Sequence, residues 1–354
     1  MHRSRFALAL VVLASAIALG SSPASWSAEK KGRYFGAKPT EYPAWFKESF
    51  LNLREDIAEA AAGNKRLLLL FHQDNCPYCN VLVERNLSQK DIVELMQSRF
   101  ETVAINMWGD REVTDFSGRT LTEKQFAAAL KVQFTPTLLF FDETGQVVLR
   151  LNGYLPPQRF KLALEYVSGR KEKELTFRDY MARYEPPPAS GTLNAEDFFA
   201  PPPHDLRRLK KPIAVFFEQK DCPACDLLHQ KVLPDAETRQ IVRRVHNIQL
   251  DMWSDTPVIL PDGRKTTARE WARELDVKYA PTIVIMDAKG REIIRSEAFF
   301  KVFHTQGMFD YATSGAYRKE PSFQRYLSAR AERIREQGRD VDIWRFADEP
   351  PAAR

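Results

Sequence analysis

The reactive chemistry of this 354-residue chain concentrates in four cysteines, which stand in two pairs of the same spacing: Cys76-Pro77-Tyr78-Cys79 and Cys222-Pro223-Ala224-Cys225. No cysteine is left over for a structural disulfide. Close pairs of this kind in an exported chain point to redox exchange. Exchange needs an attacking thiolate and a second thiol placed to release the mixed disulfide. A cysteine at a helix N-terminus meets unpaired N–H groups and the positive end of the helix dipole, and both favour the thiolate. Cys76 and Cys222 fit that attacking role. Cys79 and Cys225 lie about one turn further along the same face and fit the role of buried resolving thiols. Pro77 and Pro223 fall in the first turn, where the missing N–H costs nothing.

The elements that must position these pairs repeat along the chain. With one single-residue gap, residues 67–71 align with 213–217, Asn106-Met107-Trp108 with Asp251-Met252-Trp253, and Gly118-Arg119 with Gly263-Arg264. Thr135-Pro136-Thr137 likewise aligns with Ala280-Pro281-Thr282, and residues 142–145 with 287–290. Self-similarity of this length means two copies of one domain, and domains of roughly 100–200 residues leave room for two. In the first copy an amphipathic helix is expected over residues 43–62, with Trp45, Phe46, Phe50, Leu53 and Ile57 as its apolar stripe. The continuous apolar run 67–71 reads as a strand buried on both faces. The cysteine pair then opens a helix, and a second strand follows near 103–107. Thr122-Glu123-Lys124-Gln125 is a capping-box pattern, and Thr267-Ala268-Arg269-Glu270 repeats it. Residues 137–141 and 147–151 form a hairpin around Gly145. The order β-α-β-α-β-β gives the α/β class, with a central mixed sheet flanked by helices in each copy.

The expected domains are 33–169 and 204–320, joined by a linker over 170–203 that is charged, then proline-rich, with one short helix near 177–184. Residues 321–354 read as a charged helix and an irregular tail, which either packs onto the second domain or docks a partner. Arg3 and Arg5, the apolar stretch 6–19 and the small residues up to Ala24 or Ser27 follow the pattern of a secretory signal peptide over 1–27. The alternative is an uncleaved N-terminal membrane anchor. A periplasmic location is expected. Net charge is only +5, and no basic run interleaved with aromatics suggests nucleic-acid binding.

Each repeat resembles a thioredoxin-fold domain, on the apolar strand, the Cys-Pro-X-Cys turn, and the Thr135-Pro136 or Ala280-Pro281 step before the last hairpin. The resemblance implies cis peptides at Pro136 and Pro281. It also implies that Thr135 and Ala280 offer backbone hydrogen bonds to a substrate strand. The first domain is further similar to periplasmic thioredoxin-like proteins of the SoxW type and to catalytic domains of bacterial disulfide isomerases. That likeness implies disulfide-bearing periplasmic proteins as partners and a membrane electron donor of the thiol–disulfide interchange type, without a cofactor. The chain departs from cytosolic thioredoxin in its Pro-Tyr and Pro-Ala dipeptides. It also has Leu70 and Phe216 where that family buries an aspartate beneath the cysteines. Ala298 replaces the glycine that the first copy has at Gly153.

His72 and Glu218 occupy equivalent positions just before the pairs. They either shuttle a proton or end their strands in solvent, the second being the expectation. Trp108 and Trp253 either shape a groove or are structural. Tyr78 is expected on the exposed surface, and Ala224 takes its place in the second pair. The remaining histidines lack the spacing of a metal site. The reading that follows is an exported thiol–disulfide oxidoreductase with two active sites, reducing or isomerising disulfides. Its rivals are a thiolate module for copper(I) or zinc and a docking protein with inert cysteines.

Overall fold

The computed structural model describes residues 31–297 and 299–349. The N-terminal segment expected as a signal peptide, the Ala298 position and the last residues of the tail lie outside the described residues.

The first domain begins with a short strand β1 (Tyr34–Phe35) and helix α1 (Leu53–Ala62), then β2 (Arg66–His72), α2 (Pro77–Val81) and a π-helical turn Leu82–Asn86. It continues through α3 (Lys90–Arg99), β3 (Phe100–Asn106), a hairpin of β4 (Glu112–Thr114) and β5 (Thr120–Thr122), and α4 (Glu123–Ala129). It ends with β6 (Thr137–Phe141), β7 (Val147–Asn152) and α5 (Pro157–Ser168). The central sheet runs β3-β2-β6-β7, with β2 parallel to β3 and antiparallel to β6. Because side chains alternate along a strand, Leu68 and Leu70 enter one core with α3 and α5. Leu69 and Phe71 enter the other, with α1 and α4. Two-sided burial is why this strand reads as an unbroken apolar run.

The chain then passes through α6 (Phe177–Tyr184) and β8 (His204–Asp205) to the second sheet. There β9 (Ile213–Glu218), α7 (Pro223–Lys231), α8 (Ala236–Val242) and β10 (His246–Asp251) are followed by the hairpin β11 (Pro257–Ile259) and β12 (Lys265–Thr267). Helix α9 (Ala268–Glu274), β13 (Thr282–Met286), β14 (Glu292–Ser296) and α10 (Val302–Thr313) complete the repeat. The order β10-β9-β13-β14 repeats the first sheet. Both capping boxes form, Thr122 with Gln125 and Thr267 with Glu270. Helix α11 (Phe323–Glu336) and β15 (Val341–Asp342) close the described chain, β15 pairing in parallel with β1.

Three expectations need correction. The helix placed over 43–62 starts only at Leu53. Leu51 adopts a left-handed φ of 61°, and Ser49 Oγ accepts from Leu51 N–H at 2.7 Å while donating to Asp56 at 2.6 Å. The chain turns there, leaving Phe50 fully exposed while Trp45 and Phe46 pack on the α3–α5 face. The segment 170–203 is more than a spacer. Phe177, Tyr180 and Met181 are buried on the first domain, and Arg178 Nη2 donates to Met252 O of the second at 2.6 Å. The tail is not wholly irregular, since β15 gives it a strand. It packs on the second domain through Ala347 N–H to Lys231 O at 2.7 Å, and it also reaches the first domain.

Candidate active sites

Each cysteine pair sits where a central strand hands over to a helix, and each is closed as a disulfide. Cys76 and Cys222 are the N-cap residues, in extended backbone, with Pro77 and Pro223 in the first turn. The Cys79 N–H donates to Cys76 Sγ at 3.1 Å, and the Cys225 N–H to Cys222 Sγ at 3.1 Å. The N-terminal sulfur of each pair therefore receives a helix-terminal N–H, the arrangement that favours its thiolate once reduced. The Thr135–Pro136 and Ala280–Pro281 peptides are cis, as is Pro202–Pro203 in the connecting segment. Thr135 Oγ1 also donates to Cys76 Sγ at 3.3 Å. Ala280 has no hydroxyl to offer, so the first sulfur has a donor that the second lacks.

The two sites differ most in what covers them. In the first pair Cys76, Pro77, Tyr78 and Cys79 are all buried; in the second, Pro223 is exposed and Ala224 half-buried. Tyr78, expected on the surface, is 6% exposed. Its hydroxyl accepts from Lys301 N–H at 3.0 Å, and its ring meets Phe300, His304 and Trp344 edge-on. Burial raises its pKa well above the usual phenol value. The loop before Pro136 is equally occupied. Phe134 packs against Phe300 and Phe323, at centroid distances of 4.9 and 5.3 Å. Gln133 is held three ways: its Nε2 donates to Pro321 O at 3.1 Å, its Oε1 accepts from Phe323 N–H at 2.8 Å, and its carbonyl accepts from Gln324 Nε2 at 3.1 Å. From the other side, Thr40 Oγ1 donates to Cys76 O at 3.4 Å and Asn80 Nδ2 to Pro39 O at 3.2 Å. At the second site, the Ala280 carbonyl accepts from Arg159 Nη1 of the first domain at 3.3 Å.

His72 and Glu218 diverge. His72 is half-buried against the Tyr42 ring, and burial pushes its pKa below the ordinary histidine value, against the pull of Glu123 and Asp74. Glu218 does not end its strand in solvent: it is 0% exposed. Its Oε1 bonds His229 Nε2 at 3.0 Å, and its Oε2 accepts from Gln249 Nε2 at 2.9 Å. His229 Nδ1 reaches Glu196 Oε1 at 3.0 Å. Burial alone would lower the His229 pKa, but the bonds and charges of Glu218 and then Glu196 outweigh it and hold it above the ordinary value. Trp108 and Trp253 take matching structural places, their indole N–H groups donating to Gln73 and Gln219 at 2.9 and 3.0 Å. Leu70 and Phe216 are fully buried. Among the described residues no group of three or more His, Cys, Asp or Glu side chains is arranged to hold a metal ion. His229, His304, Gln133 and Gln324 carry no local sequence signal, because their partners are brought to them only by the tertiary fold.

Paired cysteines at the strand-to-helix turns of two like α/β domains, each beside a cis-proline, define a two-site thiol–disulfide protein. The chain belongs to the thioredoxin-like domain family, whose model matches residues 53–168 and 205–305. No curated protein matches it. Among solved structures it is similar to a thioredoxin-fold protein from Helicobacter pylori, with 24% identity over 34% of this chain and 81% of that one, TM-score 0.29. It is similar also to a thioredoxin from Thermus thermophilus, with 22% identity over 39% and 87%, TM-score 0.27. A disulphide isomerase from Xylella fastidiosa Temecula1 shares 18% identity over 39% and 98%, TM-score 0.25. At these scores the assignment rests on the family model. A thioredoxin-like fold carrying two such disulfides supports thiol–disulfide oxidoreductase chemistry in general.

Proposed function

We propose that the protein is an exported oxidoreductase that reduces or isomerises disulfides of periplasmic proteins through a mixed disulfide, drawing electrons from a membrane thiol–disulfide donor. The observation that carries this reading is the helix-capping cysteine of each pair, whose sulfur accepts an N–H bond beside a cis-proline. Cys76 or Cys222 attacks the substrate disulfide, and Cys79 or Cys225 then attacks the mixed disulfide to release the reduced substrate. Cys79→Ser and Cys225→Ser variants, expressed with the N-terminal segment intact, should accumulate covalent adducts that dithiothreitol dissolves. An absence of adducts, with activity surviving Cys76→Ser and Cys222→Ser, would refute the mechanism. Export is supported by the arginines and apolar run near the N-terminus. Cell fractionation and N-terminal sequencing of the mature chain test it; cytoplasmic, uncleaved protein would refute it.

A further inference from the structure

The first cysteine pair faces a cavity of about 280 Å³, lined by Cys76, Thr135, Phe300, His304 and Gln324. Asp74 and Asn75 also line it and are exposed, so it meets solvent at that edge. Pockets for small ligands hold roughly 300–1,000 Å³, so this space falls just below that range. A substrate protein entering here by strand addition needs a free backbone edge and room for its flanking residues. Room beside Thr135 is restricted, because Gln133 and Phe134 are taken by Pro321, Phe323, Gln324 and Phe300. His304 Nδ1, on the cavity wall, is out of solvent contact and has no hydrogen-bond partner among the described residues. Burial keeps this ring neutral near pH 7, so Asp74 is the lining group that carries charge there. A cavity with a polar wall, one carboxylate at its mouth and a redox disulfide inside fits a small cationic aminothiol.

We propose that the Cys76–Cys79 pair exchanges with low-molecular-weight aminothiols or their disulfides, while protein disulfides are served by the Cys222–Cys225 pair; this rests on the oxidoreductase reading above. In the reducing direction, one aminothiolate attacks Cys76 Sγ, breaking the Cys76–Cys79 bond and releasing the Cys79 thiolate, which takes up the proton. A second aminothiolate attacks the small molecule's sulfur in the mixed disulfide and releases Cys76, which is protonated in turn. Two thiols become one small disulfide, and two electrons and two protons reside on the cysteines.

The test uses the full chain in two forms. Cys222→Ser/Cys225→Ser isolates the first pair, and Cys76→Ser/Cys79→Ser isolates the second. Reduction is followed by alkylation mass shift with cysteamine, 3-mercaptopropionate and a reduced thioredoxin, with small-thiol rates expressed per thiolate. Relative to the second pair, the first should prefer cysteamine over mercaptopropionate by a further two- to fivefold, about the worth of one exposed charge pair. Asp74→Asn should remove that preference, and so should high salt on the unaltered cavity. The thioredoxin should reduce the second pair and leave the first at least about a hundredfold slower. Equal reduction of both pairs by thioredoxin would overturn the proposal. So would an inert first pair, or a cysteamine preference unaffected by both Asp74→Asn and salt. If neither pair exchanges with any thiol, the oxidoreductase reading itself fails.

Discussion

Replacing Glu218 by glutamine tests the buried ionic network under the second active-site helix. Glu218 is fully buried, and its oxygens bond His229 Nε2 at 3.0 Å and Gln249 Nε2 at 2.9 Å. Below its folded pKa, His229 is an imidazolium donating to two carboxylates, Glu218 and Glu196. Removing one partner of a buried pair costs about 3–5 kcal/mol when the other charge is stranded. Here Glu196 stays, and the glutamine oxygen still accepts, so the loss is that of turning an ionic hydrogen bond into a weaker one, about 2 kcal/mol. At roughly 3–6 °C per kcal/mol, between the values for 60–100-residue and 150–250-residue units, the transition of the second domain should fall by about 6–12 °C. The sign with pH follows from the raised pKa of His229. Its ionic contribution is fully present below the unfolded value of about 6.5 and fades as pH rises through the higher folded value. The gap between parent and Glu218→Gln should therefore be widest at pH 6 and shrink towards pH 9, in thermal melts followed by near-UV circular dichroism. In His229→Gln the pH dependence of the gap should vanish. A gap that is flat with pH, or that widens towards alkaline pH, would refute this account.

Other perturbations separate the two sites. Tyr78→Phe strands the buried Lys301 N–H that the hydroxyl now satisfies at 3.0 Å. A loss of about 1–3 kcal/mol in urea unfolding is expected, with faster alkylation of the reduced first pair. Arg178→Ala removes the 2.6 Å bond to Met252 O and the cation stacked 4.4 Å from the Trp253 ring. It should cost about 2–3 kcal/mol and speed proteolysis between residues 186 and 203; unchanged cleavage would show that α6 does not tie the domains. Burial holds His304 at about 4, so stability linked to it is present above the unfolded value of about 6.5 and drains as pH falls towards 4. The first pair should become easier to reduce over that window, and His304→Phe should abolish the trend.

Much of the local chemistry is legible from residue order because it is set by neighbours in the chain. The N-capping cysteines, first-turn prolines and capping boxes at Thr122 and Thr267 involve residues within one helical turn. The strands around Leu70 and Phe216 announce themselves because two-sided burial demands unbroken apolar runs. Tyr78 shows the limit. Between two reactive cysteines it looks like surface, yet its environment is made by Phe300, His304 and Trp344, more than 200 residues away. Glu218 fails for the same reason: a lone acid at a strand end reads as solvated until His229, Gln249 and Glu196 are brought to it. The missed start of α1 has a local cause, the left-handed Leu51, but apolar spacing continued through it and concealed the break.

The repeat places nearly the same chemistry at two points and then covers them unequally. Elements from outside each domain close its groove: α10, α11 and the tail over the first pair, and Arg159 over the carbonyl beside the second cis-proline. A cavity of about 400 Å³ remains at the second site, walled by Tyr78 and Val81 of the first active-site helix and by Ala224 and Pro281 of the second. Tyr78 thus lines both this space and the smaller cavity at Cys76. Its ring is held by Lys301, His304 and Trp344, so any shift of α10 or the tail that uncovers the first disulfide must also reshape the wall facing the second. Access to one site is then coupled to the shape of the other through a single side chain that one pair carries and the other replaces with alanine. That difference, more than any in the cysteines themselves, sets apart the surroundings of two otherwise similar sites.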